Sequence, residues 1–348
     1  MNRILIYGAN GYTGQLIAEE AVRRGLKPML GGRNRDALGA IAQRLWLTRR
    51  VFELDDAAEV ARNLEGVDVL LNCAGPFVAT CPPLLDACLA QKVHYLDITG
   101  EIDVYALCHH ANNRARHQGV VVAPGVGFDV VPTDCVAAML KERLPDANEL
   151  VIAFESSGGT SPGTARTGIG GLAGGGRVRR DGQIVEVPLA WKVREFERDG
   201  LSRSAVTIPW GDVYTAFVST GIPNIETYMA LSPKTIARMR WLERVRPLLR
   251  LRAVQRFLET RAVARAKGPD AERRSTTECH VWGEARNAAG RAEKLRLRTP
   301  NGYALTIDAA LGILEHVIEA KPAGGYYTPS QLVGARYVLS LAGVTLVE

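Results

Sequence analysis

The sequence predicts an α/β protein: a doubly wound parallel sheet, then a second α+β domain with a mostly antiparallel sheet. Three observations carry this. The chain opens with an apolar strand, Ile4–Tyr7, that runs into the glycine-rich turn Gly8-Ala9-Asn10-Gly11-Tyr12-Thr13-Gly14 and then a helical pattern. Apolar runs and helical patterns alternate through the first third of the chain. After about Gly125 that alternation gives way to short strands of alternating apolar and polar residues.

The opening turn is the geometry that holds a dinucleotide pyrophosphate in a Rossmann-type domain. Gly8 permits the tight turn, Gly11 lets backbone approach phosphate, and Gly14 lets the helix pack close on the strand. The helix that follows offers free N–H groups and the positive end of its dipole. Asn10 stands where the commoner fingerprint has its second glycine, so the spacing is G-x-x-G-x-x-G. Asn10, Tyr12 and Thr13 join the three glycines as candidate cofactor residues.

The second strand selects the cofactor. Its end reads Gly31-Gly32-Arg33-Asn34-Arg35, and no carboxylate lies between Lys27 and Arg35. A carboxylate there would accept from a ribose 2′-hydroxyl, whereas a guanidinium pairs with a 2′-phosphate. The expectation is therefore NADP(H) in preference to NAD(H), with Arg33, Asn34 and Arg35 at the site. The competing reading is a solvated turn in which Asn34 simply caps the next helix.

Further apolar runs at 51–54, 67–72, 95–99 and 120–123 continue the sheet. Asp56-Ala57-Ala58-Glu59 reads as a capping box, and Gly25 and Gly119 sit where helices end. Asp55, after the third strand, is included in the cofactor set. Residues 72–77, Asn-Cys-Ala-Gly-Pro-Phe, follow a strand and so lie at the carboxyl edge of the sheet, where such folds bind ligands. Cys73, Ala74, Gly75 and Pro76 are cofactor candidates there, and Thr99 and Gly100, with Glu101 beside them, occupy the next strand end.

Beyond Gly125, strands are expected at 149–155, 204–209, 213–220, 226–232, 278–285 and 292–298. A short helix is expected at 164–172, and a hairpin at 177–188 around Asp181-Gly182. Residues 303–321 read as a helix. Thr328-Pro329-Ser330-Gln331 starts another, with an N-cap Thr and a Pro at the first helical position. The domains are drawn as 1–125, with 325–348 packing back on it, and 126–324.

At 348 residues, 47% hydrophobic and 23% charged, the chain suits a globular protein of two domains. No apolar run approaches the roughly 20 residues that span a bilayer, and the start lacks a secretory pattern. The six cysteines include no C-x-x-C pair, which points to reduced thiols in the cytoplasm and to no metal site. His109 and His110 are adjacent and read as a solvated helix face.

Several segments resemble saccharopine dehydrogenase-like oxidoreductases. They are Gly8 to Gly14 with Gly31-Gly32-Arg33-Asn34, then Leu71-Asn72-Cys73-Ala74-Gly75-Pro76-Phe77, then Tyr95-Leu96-Asp97-Ile98-Thr99-Gly100-Glu101. Gly125-Val126-Gly127-Phe128-Asp129-Val130-Val131-Pro132-Thr133-Asp134 and Ala323-Gly324-Gly325-Tyr326-Tyr327-Thr328-Pro329 complete the set. The chain is similar to the short branch of that family that includes trans-acting enoyl reductases. The resemblance implies hydride transfer between NADP(H) and a small or carrier-linked acyl-type substrate in a cleft between the domains. Residues 156–300 depart most from the family and leave the substrate open.

For the proton, Asp129 is the first candidate, because Asp134 or Thr133 has a capping duty to explain it; Tyr12 is the second. No Tyr-x-x-x-Lys pair in the first domain supports short-chain dehydrogenase chemistry. A nucleotide-binding sensor or scaffold without turnover remains the alternative to an enzyme.

Residues 238–267 carry ten Lys and Arg against Glu243 and Glu259. Trp241, Val245, Leu248, Leu251, Val254, Leu258 and Ala262 recur at helical spacing between them, and Pro247 is expected to kink the segment or divide it into two helices. A solvated helix pair, an anionic membrane surface and an acidic carrier protein are the three readings. Nucleic acid is not expected, since no recognition motif accompanies the charge. A peripheral membrane association and a dimer are both compatible with the sequence.

Overall fold

The computed structural model describes residues 3–347. They form two compact units: the chain up to Val131 with Leu305–Val333, and Pro132–Ala304 with the residues from Gly334 onward. The border thus falls at Val131, six residues past the change of texture at Gly125. The helix expected at 303–321 goes mostly to the first unit, and the tail is divided between the two.

In the first unit strands and helices alternate. They are β1 (Ile4–Tyr7), α1 (Tyr12–Arg23), β2 (Met29–Gly32), α2 (Arg35–Leu45), β3 (Arg49–Val51), α3 (Ala57–Leu64), β4 (Val69–Asn72), α4 (Phe77–Gln91), β5 (His94–Asp97), α5 (Ile102–His110), α6 (Asn112–Gln118) and β6 (Val121–Ala123). These strands pair in parallel in the order β6-β5-β4-β1-β2-β3. Tyr7 lies opposite Asn72 on one side and Gly31 on the other, so the strand order reverses about β1. Open parallel sheets bind ligands at such a reversal, beyond the strands' carboxyl ends. Leu5, Ile6, Leu30, Leu70, Leu71, Tyr95, Leu96, Val121 and Val122 are fully buried, as a sheet covered on both faces requires.

Local signals hold the connections. Asn34 Oδ1 accepts the Ala37 N–H at 3.0 Å and Asp56 Oδ1 the Ala58 N–H at 2.8 Å, so α2 and α3 start on side-chain caps. The strand expected at 51–54 ends at Val51, and Phe52 extends its ladder by one bond to the Gly32 carbonyl at 3.1 Å.

The second unit contains α7 (Val131–Arg143), β7 (Glu149–Ser156), α8 (Pro162–Leu172), β8 (Gly176–Arg180), β9 (Gln183–Val187), β10 (Val193–Arg198), β11 (Leu201–Thr207), α9 (Asp212–Thr220) and β12 (Asn224–Ala230). It continues with α10 (Pro233–Arg244), α11 (Arg246–Leu249), α12 (Arg252–Arg265), α13 (Ala271–Thr276), β13 (Glu278–Arg286) and β14 (Ala292–Pro300). The chain then forms α14 (Gly302–Ala320), β15 (Gly325–Tyr326), α15 (Pro329–Val333) and β16 (Thr345–Leu346). β15 adds to β6 as a seventh parallel strand, and β16 pairs with β14. The second sheet runs β10-β11-β12-β7-β13-β14-β16, with the β8–β9 hairpin on β12. Its pairings are antiparallel except β12 with β7.

The expected hairpin closes at Asp181 and Gly182, both with positive φ, 47° and 78°. A second pair of the same kind, Asp199 and Gly200, closes β10 onto β11; β10 had not been read from the sequence. One expectation is overturned: 213–220 is the helix α9, not a strand. Its β-branched residues suggested a sheet, but Val213, Ala216 and Thr220 recur at helical spacing and are buried. The basic segment is divided into three helices, not two: α10, α11 and α12, with Pro247 in the first turn of α11. No helix among the described residues is long and apolar enough to cross a membrane.

Candidate functional site

β1 ends at Tyr7 and the chain turns at Gly8, whose φ of +81° is strained for any side chain. A Cβ at Gly8 would come within 2.8 Å of the Ala74 backbone nitrogen, so the loops after β1 and β4 touch here. The N–H groups of Gly8 and Ala9 both donate to the Gly31 carbonyl, at 2.9 and 3.2 Å, and that of Gly11 donates to the Gly8 carbonyl at 2.9 Å. A Cβ at Gly14 would meet Ala9 Cα at 3.0 Å, which is the close helix–strand approach that motif demands. Gly11 caps α1 with no side-chain hydrogen bond, and no acidic residue lies in the first turn. Asn10 and Gly11 are exposed, while Tyr12 and Thr13 are half-buried. The first N–H groups of a helix have no acceptor within it, so this end suits an anion. The cradle, the narrow glycine approach and the absence of acid all fit a pyrophosphate.

At the end of β2, Arg33, Asn34 and Arg35 are exposed. Asn34 spends its carbonyl oxygen on capping α2, as the competing reading held. Arg33 lies near enough to Tyr7 for its charge to offset part of the burial that pushes that phenol up to about 12. Asp55 is exposed in the turn before α3.

The ends of β4, β5 and β6 are joined by buried polar groups, among which the sequence reading had not singled out Thr80, Tyr95 and Asp97. Asp97 Oδ1 accepts the N–H of Thr99 at 3.0 Å and of Gly125 at 2.9 Å, and Oδ2 accepts the Tyr95 hydroxyl at 2.8 Å. Asn72 donates to Thr80 Oγ1 at 3.0 Å and to the Tyr95 oxygen at 3.3 Å, and accepts the Ala74 N–H at 3.0 Å. Thr80 in turn donates to the Ala74 carbonyl at 2.6 Å. Asn72, Asp97, Tyr95 and Thr99 are completely buried. Burial pushes the Asp97 carboxyl up to about 6 in spite of its three donors. The visible signal was a polar residue ending each of two apolar strands, Asn72 and Asp97.

Next to this network, Glu101 accepts the N–H groups of Phe77 at 2.9 Å and Val78 at 2.8 Å. It therefore holds the start of α4, after the cis Gly75–Pro76 peptide. Thr99 Oγ1 accepts the Glu101 N–H at 3.0 Å, and the Tyr105 hydroxyl donates to the Thr99 carbonyl. Asp129 is half-buried on the far side of Gly100, where a Cβ would stand 3.0 Å from Oδ2. Burial, reinforced by the Glu101 charge, pushes the Asp129 carboxyl up to about 7. Such a group holds a proton near neutrality and can give it up, which is what a general acid needs.

The structure thus brings Thr99, Gly100, Glu101 and Asp129 together, and separately Gly8, Gly11 and Gly14 with Ala74. Tyr12 opens α1 at the glycine turn. Cys73 is half-buried, its N–H bonded to the Tyr7 carbonyl at 2.8 Å, and burial and the Asp97 charge raise its thiol. The helix expected from Cys135 starts at Val131, so Asp134 lies in its first turn, where it is buried and accepts the Ser219 hydroxyl at 2.7 Å. Tyr326 stacks on His109 with ring centroids 4.7 Å apart.

Cys81, Asp97 and Cys108 place ligand-type atoms within 4.8 Å of one another, all buried. Three donors already occupy Asp97, and burial raises the Cys108 thiol, so the thiolate that a metal requires is disfavoured.

Comparison with known proteins follows the same lines. Residues 4–121 match the saccharopine dehydrogenase NADP binding domain. The human saccharopine dehydrogenase-like oxidoreductase is 27% identical over 175 residues, covering 44% of this chain and 40% of that protein. A provisionally named trans-acting enoyl reductase of Mycobacterium tuberculosis is 30% identical over 183 residues, covering 46% and 42%. The matches thus span about two fifths of the length of these relatives. Yeast (Saccharomyces cerevisiae) saccharopine dehydrogenase, the L-Glu forming enzyme in its apo state, shares the fold over 100% of both chains. Its TM-score is 0.65 and its identity 10%. Residues 4–121 thus match the saccharopine dehydrogenase NADP binding domain, and over about two fifths of its length the chain is similar to saccharopine dehydrogenase-like oxidoreductases.

Proposed function

We propose that the protein is an NADP(H)-dependent oxidoreductase that reduces a polarised double bond of a small or carrier-linked substrate. The observation that carries this is the uncapped, acid-free start of α1 behind Gly8, at the reversal of the parallel sheet. The cofactor, when bound, supplies a hydride. Gly8, Gly11 and Gly14 let the backbone close on its pyrophosphate, and Ala74 and Gly75 let it pass beneath. Arg33, exposed at the end of β2, would pair with a 2′-phosphate, and the lack of a carboxylate between Lys27 and Arg35 supports NADP(H) over NAD(H). With hydride delivered to the electron-poor carbon, the Asp129 carboxyl would give its proton to the atom at the other end of the double bond. The Asn72–Tyr95–Asp97 network keeps the three strand ends in register for this. The free cysteines support a reducing, cytoplasmic setting.

The test is NADPH oxidation against a panel of enones, imines and aldehydes, followed across pH. Proton donation requires protonated Asp129, so kcat/KM falls as pH rises through about 7. Asp129→Asn should lower the rate by roughly 10²- to 10⁴-fold and remove that limb, with NADPH affinity unchanged. A limb that persists in the variant removes Asp129 from the mechanism. NADPH binding without oxidation by any acceptor would favour the competing reading, a nucleotide sensor.

A further inference from the structure

One face of the second unit has no part in this chemistry. The second half of α10, with α11 and α12, lies within the segment 238–267, which carries ten cationic side chains and two acidic ones. From these helices and the turn between the last two, Trp241, Leu248, Leu251 and Phe257 protrude, 59%, 57%, 54% and 58% exposed. Arginines surround them: Arg252 and Arg256 are exposed, and the Arg261 guanidinium lies 5.5 Å from the Phe257 ring. α12 packs against α8, yet neither helix contains a buried residue. In α8, a Cβ at Gly168, Gly170 or Gly171 would meet nothing within 4 Å. Packing does not call for glycine there, and each one weakens the helix relative to alanine. Along α10 runs a groove of about 540 Å³ lined by Pro233, Ile236 and Trp241, with Arg240 and Arg244 among its other walls.

We propose that this face docks on an anionic lipid bilayer, with Trp241, Leu248, Leu251 and Phe257 entering the interface and the arginines meeting headgroup phosphates. Amphipathic helices with a basic polar face and protruding Trp, Phe and Leu lie in such an interface. Arginine stems cover apolar surface while their heads stay with the phosphates. A second copy of the chain would set one dense cationic segment against another. An acidic protein would answer the charge, but four bulky apolar side chains spread over this stretch suit a fluid surface that needs no matching shape.

The experiment is sedimentation of the full chain with vesicles of phosphatidylcholine, alone or mixed with phosphatidylglycerol, at low and high salt. Binding is expected to the mixed vesicles only, and it weakens with salt. Arg252→Gln with Arg256→Gln should reduce partitioning about 25-fold, from the roughly 5-fold that each interfacial cation is worth. Leu251→Ser with Phe257→Ser should also reduce it while leaving every charge in place. Far-ultraviolet circular dichroism should be unchanged in both variants. Equal binding to phosphatidylcholine alone overturns the proposal, as does wild-type partitioning by either variant. Capture of an acidic carrier protein without vesicle binding, or a dimer that shields Trp241, overturns it in favour of those occupants.

Discussion

The strand ends of the first unit and the α8–α12 pair of the second lie at opposite extremes of organisation. Around Asn72, Tyr95 and Asp97 the polar side chains are buried, and the carboxylate of Asp97 accepts three hydrogen bonds. In α8 and α12 no residue is more than half-buried. A buried carboxylate costs free energy unless it is well satisfied, so such a network marks a place where geometry matters more than burial of apolar surface. A helix pair without a core takes its stability from whatever it touches. The first arrangement suits a site that holds a small ligand in fixed register, the second a surface that is completed by a partner.

The sharpest way to break this contrast is at the rigid end. Gly8→Ala puts a side chain at φ +81° and drives it into the Ala74 backbone. It should cost on the order of 3 kcal/mol by chemical denaturation and weaken NADPH binding more than tenfold. A variant of wild-type stability would mean that the two loops are not rigidly apposed.

Next comes pH. Burial pushes Asp97 from 3.8 to about 6. Below the unfolded value both states are protonated and its contribution to stability is complete. Between the two values only the folded chain keeps the proton, so that contribution is lost as pH rises through about 6. The loss is on the order of 2–3 kcal/mol. Asp97→Asn should flatten this part of a stability–pH curve; Asp129 and Glu101, raised in the same sense, leave a residual slope. An unchanged slope would mean that Asp97 does not hold its proton in the fold.

The smallest effect is expected at the other extreme. Phe257→Ala, on a helix with no buried residue, should change stability by less than about 0.5 kcal/mol. A loss typical of a core phenylalanine would show that α12 has a hidden packing partner.

What could be read from the sequence was what short stretches decide by themselves. Gly8, Gly11 and Gly14 act within one turn. Asp181-Gly182 dictates its own hairpin, and Thr328 with Gln331 forms a reciprocal cap, N–H to side chain, at 3.4 and 3.2 Å. α9 was misread because its β-branched composition outweighed a helical spacing of only two turns. Asp199-Gly200 carried the same turn signal as Asp181-Gly182, but the strand before it, Val193–Arg198, is largely exposed and lacks an apolar run. The network about Asp97 was out of reach for another reason. Its members come from residues 72, 80, 95, 97 and 125, and only the sheet brings them together. Asp129 was reached by elimination, and burial, reinforced by the Glu101 charge, supplies the physical reason for its raised carboxyl.

The central claim, that the first unit holds NADP(H) with Arg33 on the 2′-phosphate, is tested most directly by thermal shifts with NADPH and NADH on wild type and Arg33→Ala. At 100 times its dissociation constant a ligand adds about 2.7 kcal/mol of stability. The account predicts a large NADPH shift that collapses in the variant, and a smaller NADH shift that does not change. Equal shifts with both nucleotides, unaffected by the substitution, would contradict it.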